Sequence, residues 1–130
     1  MEFSLKRIDV INVFADDLPA TKSFYQEVLK LSLTFEDENS AVFKLENLMI
    51  SLWDVSAAGD RIAPMSVASP DAGARCVFSM FVDDVDAACA ELARHGVEML
   101  NGPVDKPWRV RSATFADPAG YLWGIGQDLG

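Results

Sequence analysis

Asp16-Asp17-Leu18-Pro19-Ala20 and, 67 positions later, Asp83-Asp84-Val85-Asp86-Ala87 are two copies of one signal, and their reading decides the fold. Each copy follows an apolar run, Ile8 to Phe14 and then Cys76 to Val82, and each reads as the start of a helix. A carboxylate ahead of the first turn accepts from backbone N–H groups that have no partner inside the helix. Pro19 fits there because it has no N–H to lose. Apolar residues then recur at helical spacing. The first helix buries Leu18, Thr21, Phe24, Tyr25, Val28 and Leu29 and runs to about Lys30. The second buries Val85, Ala88, Cys89 and Leu92 and stops at His95-Gly96, with the glycine in the position after the cap.

Working outward, three strand-like segments follow each helix: Leu31–Phe35, Ala41–Leu45 and Leu48–Trp53, then Val97–Leu100, Val110–Phe115 and Tyr121–Gly126. Turn residues separate them at Glu38-Asn39-Ser40, Glu46-Asn47, Gly102-Pro103 and Asp117-Pro118-Ala119-Gly120. The internal repeat predicts an α+β fold of two βαβββ modules. Module 1 covers about residues 1–55, a linker loop 56–74, and module 2 about 75–130, together one domain. The loop is rich in Ala, Ser, Gly and Pro. It joins the modules, and Ile62, Pro64 and Met65 in it are placed to fold over a cavity mouth.

Composition narrows the function classes. The 130 residues carry a net charge of −9, half are apolar, and the few Lys and Arg are scattered, which excludes nucleic acid as a partner. The charge either serves solubility or draws a cationic or neutral ligand. No apolar run approaches the roughly 20 residues that cross a bilayer, and the start lacks a secretion signal, so a cytoplasmic location is expected. Cys76 and Cys89 lie in no Cys-x-x-Cys and near no histidine, and read as buried free thiols. The one histidine, His95, falls at a helix end, where a positive charge is favourable.

Asp-Leu-x-x-x-x-x-Phe-Tyr at Asp17 to Tyr25, Val-Asp-Asp-Val-Asp-Ala at Val82 to Ala87 and Phe-x-Asp-Pro-x-Gly at Phe115 to Gly120 together resemble the vicinal oxygen chelate superfamily. This is the group of glyoxalase I, extradiol dioxygenases and bleomycin-resistance proteins. The resemblance spans nearly the whole chain apart from the central loop. It implies curved mixed sheets that form cups around a ligand cavity, and that the enzymes hold a divalent metal with His or Glu from the first and last strands. Carried over, those positions fall on Val10 and Val77 and on Ser51 and Gly124. None is a metal ligand of the usual kind, so neither a metal nor another cofactor is expected.

The same positions set which strand faces look inward, because side chains alternate with period two. Ile8, Asn12 and Phe14 go with Val10, and Ser79 and Phe81 with Val77. Met49 and Trp53 go with Ser51, and Leu122 and Gly126 with Gly124. Ile11, Val13, Phe78, Met80, Trp123 and Ile125 should pack beneath the helices. Lys106-Pro107-Trp108-Arg109-Val110-Arg111 resembles the Pro-Trp-Gly-x-Arg segment of the bleomycin-resistance proteins, with Arg109 where they have glycine. The expected ligand-binding set is therefore Trp53, Trp108, Ser51, Asn12, Ser79, Phe81, Gly124, Gly126 and Arg111, with no catalytic residue. Trp53 and Trp108 either stack on an aromatic ligand or only fill packing space.

The resemblance is strongest to the metal-free antibiotic-binding members. It implies sequestration of an aromatic or conjugated natural product, conferring self-resistance, by a homodimer that touches neither nucleic acid nor membrane. The alternative is an atypical metal-independent enzyme, an isomerase or hydrolase, working through Asp9, Asp54 or Arg111.

Overall fold

A computed structural model describes residues 5–130, and the chain divides into two compact units at Ala68/Ser69. In the first, strand β1 (Val10–Ala15) leads into helix α1 (Leu18–Ser23), which continues as a π turn over Phe24–Val28. Strands β2 (Ser32–Glu36), β3 (Ser40–Lys44) and β4 (Met49–Asp54) follow. The second repeats the order with β5 (Val77–Phe81), α3 (Val85–Arg94), β6 (Asn101–Lys106), β7 (Val110–Ala116) and β8 (Leu122–Asp128). The sheets run β1-β4-β3-β2 and β5-β8-β7-β6, four strands each and not closed. In both, the first strand pairs parallel to the last and the other neighbours are antiparallel. This is the expected α+β, two-module fold of curved mixed sheets.

The helix starts form as the repeat predicts. Asp17 Oδ1 accepts from the Ala20 N–H and Asp84 Oδ1 from the Ala87 N–H, each at 3.0 Å. Such a cap contributes about 1 kcal/mol. His95 ends α3, and Gly96 takes φ +79°, the left-handed conformation that glycine adopts without strain.

Burial follows strand parity. In the first unit Val13, Ala15, Ile50 and Leu52 are sealed against the helix, with Tyr25 meeting Phe43 edge-on at 5.4 Å. In the second, Ala113, Phe115, Trp123 and Ile125 form the same layer, and Trp123 meets Phe78 edge-on at 5.3 Å. Trp123 is 1 % exposed, a core residue as expected.

Three expectations need correction. The strand placed at Val97–Leu100 lies instead at Asn101–Lys106, so Gly102-Pro103 sits inside a strand and not in a turn. The register slips between Asn101 and Val104, and β6 is the sheet's edge, where a proline without an N–H is tolerated at a bulge. Gly102, at φ +78°, passes so close to β7 that a Cβ would meet the Ser112 carbonyl oxygen at 2.3 Å. The central loop is not structureless: a 3-10 turn at Val55–Ala57 and a short helix α2 (Gly59–Ile62) occupy its start. Cys76, read as buried, is exposed, because it lies just ahead of β5, and Cys89 on α3 is only half-buried.

Candidate functional site

Each sheet keeps one face away from its helix, and parity places most of the expected binding residues there. On the first sheet the register aligns Val10 with Met49, Asn12 with Ser51 and Phe14 with Trp53. Val42 and Ser40 on β3 lie opposite Ser51 and Trp53 and extend that face. These residues alternate with the sealed layer, and Val10 and Met49 at one end remain exposed.

Trp53 does not stand straight up from its strand. Its Nε1 donates to Asn12 Oδ1 at 2.9 Å, reaching diagonally past Ser51. Ser51, between the two, is 7 % exposed. The hydrogen bond fixes the plane of a half-buried indole that has Phe14 opposite it on β1 and Ser40 opposite it on β3.

The second sheet is barer. Ser79 pairs with Gly124 and Phe81 with Gly126. Phe81 is 73 % exposed. The missing side chains let its neighbours lie against the backbone: a Cβ at Gly126 would meet Val110 Cγ1 at 3.2 Å and the Phe81 ring at 3.4 Å. A shallow depression beside the ring is lined by Phe81, Val82, Asp83 and Asp128.

The two-module topology and its sequence agree with one family. The model of the Glyoxalase/Bleomycin resistance protein/Dioxygenase superfamily matches residues 7–125. The chain belongs to this superfamily. A glyoxalase/bleomycin resistance protein/dioxygenase from Nocardioides superposes with a TM-score of 0.86, at 24 % identity over 98 % of this chain and 87 % of that one. TnmS3, described as an antibiotic binding protein from Streptomyces sp. CB03234, has a TM-score of 0.74 and 26 % identity, covering 98 % of this chain and 99 % of its own. Lactoylglutathione lyase from Agrobacterium tumefaciens has a TM-score of 0.73 and 24 % identity, covering 94 % and 93 %.

The superfamily's metal positions can be tested against this geometry. Val10 and Val77 offer no donor atom, and Ser51 only a hydroxyl. Gly124 carries no side chain at all, and a Cβ there would sit 3.2 Å from Ser79 Oγ and 3.4 Å from Val77 Cγ1. Among the described residues no three His, Cys, Asp or Glu side chains gather as a metal-holding group. The residues present do not fit the superfamily's metal.

The remaining expected residues fall elsewhere. Arg111 lies on the helix side of β7, the opposite parity from Ser112 and Thr114, which pair with Gly126 and Gly124. Its guanidinium reaches Asp86 on α3 through two hydrogen bonds of 2.9 and 3.2 Å, and Asp105 on β6 at 2.9 Å. These bonds raise its pKa further above the ordinary arginine value, so it stays charged and clamps α3 to the sheet. Trp108 caps the β6–β7 turn and is 68 % exposed. Beside it Arg109 adopts φ +66°, the left-handed conformation that suits the glycine of the related segment. The arginine thus keeps a glycine-like backbone, and its side chain donates to the carbonyl oxygens of Leu129 and Gly130.

The groups considered for chemistry are committed to structure. Asp9 pairs with Arg7 on the surface. Asp54 caps the 3-10 turn, accepting from the Ser56 N–H at 3.0 Å and its hydroxyl at 2.7 Å, and these bonds hold its carboxyl below the usual range. Asp37 is lowered in the same way by the Asn39 N–H and the Ser40 hydroxyl. Both carboxyls titrate lower folded than unfolded, so their stabilisation is present above the ordinary carboxylate pKa of about 4 and is lost on further acidification. The thermal midpoint should decline below about pH 4, with a shallower decline in Asp37→Asn/Asp54→Asn. An unchanged acid limb in that variant, followed by circular dichroism, would refute this assignment.

Proposed function

We propose that this chain is a metal-free binding protein that sequesters an aromatic or conjugated small molecule, protecting a cell from an antibiotic. The observation that carries the reading is the first sheet's open face, where Asn12 holds the Trp53 indole opposite Phe14. A rigid aromatic surface with few polar groups suits capture of a planar ligand. TnmS3, described as an antibiotic binding protein, supports the reading. The proposal extends to Ser79, Phe81 and Trp108 as ligand-binding residues of the second unit, and to a cytoplasmic homodimer.

The lactoylglutathione lyase neighbour makes an enzyme the competing reading. Acid–base work wants a group with a pKa near neutrality, and Asp54 is moved the other way. Capture predicts that excess candidate ligand, incubated with the protein and recovered after denaturation, returns unaltered. More than one equivalent of modified product per chain would reject sequestration. Elemental analysis of the purified protein should likewise show no stoichiometric Zn, Ni, Fe or Mn. One tightly held equivalent per chain would revive the enzyme reading.

A further inference from the structure

We infer that Asn12 selects the ligand: the first sheet takes a planar aromatic molecule bearing a carbonyl oxygen, with the ring system against Trp53 and the oxygen on Asn12 Nδ2. The inference rests on the binding reading above and names the chemical class that the site prefers.

The indole settles which way the amide points. An indole nitrogen only donates, so the group facing Trp53 Nε1 at 2.9 Å must be the amide oxygen. The amide nitrogen, with two hydrogens, therefore faces away from the indole. Among the described residues, no hydrogen bond from Asn12 Nδ2 is found. Asn12 alternates with sealed Val13 along β1, so this donor stands on the sheet's open face beside Val10, Phe14 and Met49.

Such a donor discriminates. A hydrocarbon covering it strips its water and leaves the N–H unpaired, whereas a carbonyl oxygen in the same place accepts from it. The second module carries nothing comparable, since Ser79 and Gly126 stand where Asn12 and Trp53 stand in the first. Recognition by an indole paired with an amide donor is thus a property of one half of the repeat.

The test compares 9-fluorenone with fluorene, which share a planar ring skeleton and differ in the carbonyl, by isothermal titration calorimetry. The wild-type protein should bind fluorenone about fivefold tighter, the effect of one net hydrogen bond. In Asn12→Asp the carboxylate still accepts from Trp53 but cannot donate, and the preference should vanish. Near-UV circular dichroism reports whether the tryptophans keep their setting. If Asn12→Asp does not fold, Asn12→Leu, close in size and without a donor, supplies the same comparison. Equal wild-type affinity for both probes overturns the donor assignment and leaves aromatic binding standing, as does a preference that persists in the variants. No binding of either probe overturns the aromatic-ligand reading and this inference together.

Discussion

Asp117→Ala should lower stability by about 3 kcal/mol or more, and the thermal midpoint by about 10 °C. The carboxylate is buried at 5 % exposure, and each of its oxygens has a task. Oδ1 accepts from the N–H groups of Ala119 at 2.9 Å and Tyr121 at 3.0 Å, closing the turn between β7 and β8. Oδ2 accepts from Trp123 Nε1 at 3.0 Å. Alanine leaves the turn's two N–H groups and the indole N–H without these acceptors, and Trp123 is too deeply buried for water to replace them easily. Each lost partner for a buried donor costs about 1–3 kcal/mol. Asp117→Asn keeps one oxygen and should lose less. Denaturant unfolding of both variants measures the difference. An alanine variant within about 1 kcal/mol of wild type would show that the hub is dispensable.

That hub shows how far the sequence could be read. Phe115-x-Asp117-Pro118-x-Gly120 is legible as a turn, because Asp, Pro and Gly each have a local reason to be there. The bond from Asp117 to Trp123 is not, since it depends on where the chain goes after the turn. The same division holds at the binding face. The metal positions implied by the family resemblance, with the two-residue alternation, suffice to put Val10, Asn12, Ser51 and Trp53 on one side, as the register does. The hydrogen bond between Asn12 and Trp53 joins residues 41 positions apart across a parallel pair, and its diagonal reach comes from side-chain torsions. Arg111 lies away from the expected set for a related reason. Alignment of first and last strands sets parity only there, and β7 acquires its own through pairing with β8. The bulge at Gly102-Pro103 hides β6 similarly, because residues that usually end a strand are accommodated inside an edge one.

Trp53→Ala should weaken binding of an aromatic ligand about thirtyfold, the equivalent of about 2 kcal/mol. Asn12 holds the indole in place before the ligand arrives, so little side-chain freedom is lost on binding. Trp108 stands at a turn with most of its surface in solvent, and ordering it offsets part of any contact it makes. Any loss in Trp108→Ala should therefore be smaller than in Trp53→Ala. Trp53→Phe retains a ring but not the N–H that Asn12 holds, and should fall between wild type and Trp53→Ala. Fluorescence separates the contributions, because the protein has three tryptophans and the third, Trp123, is sealed beneath α3's side of the sheet. Titration with 9-fluorenone should quench wild type strongly, Trp108→Phe nearly as much, and Trp53→Phe/Trp108→Phe hardly at all. Quenching that survives in the double variant would come from Trp123, which no ligand on the open face can stack against, and would move the binding site away from Trp53.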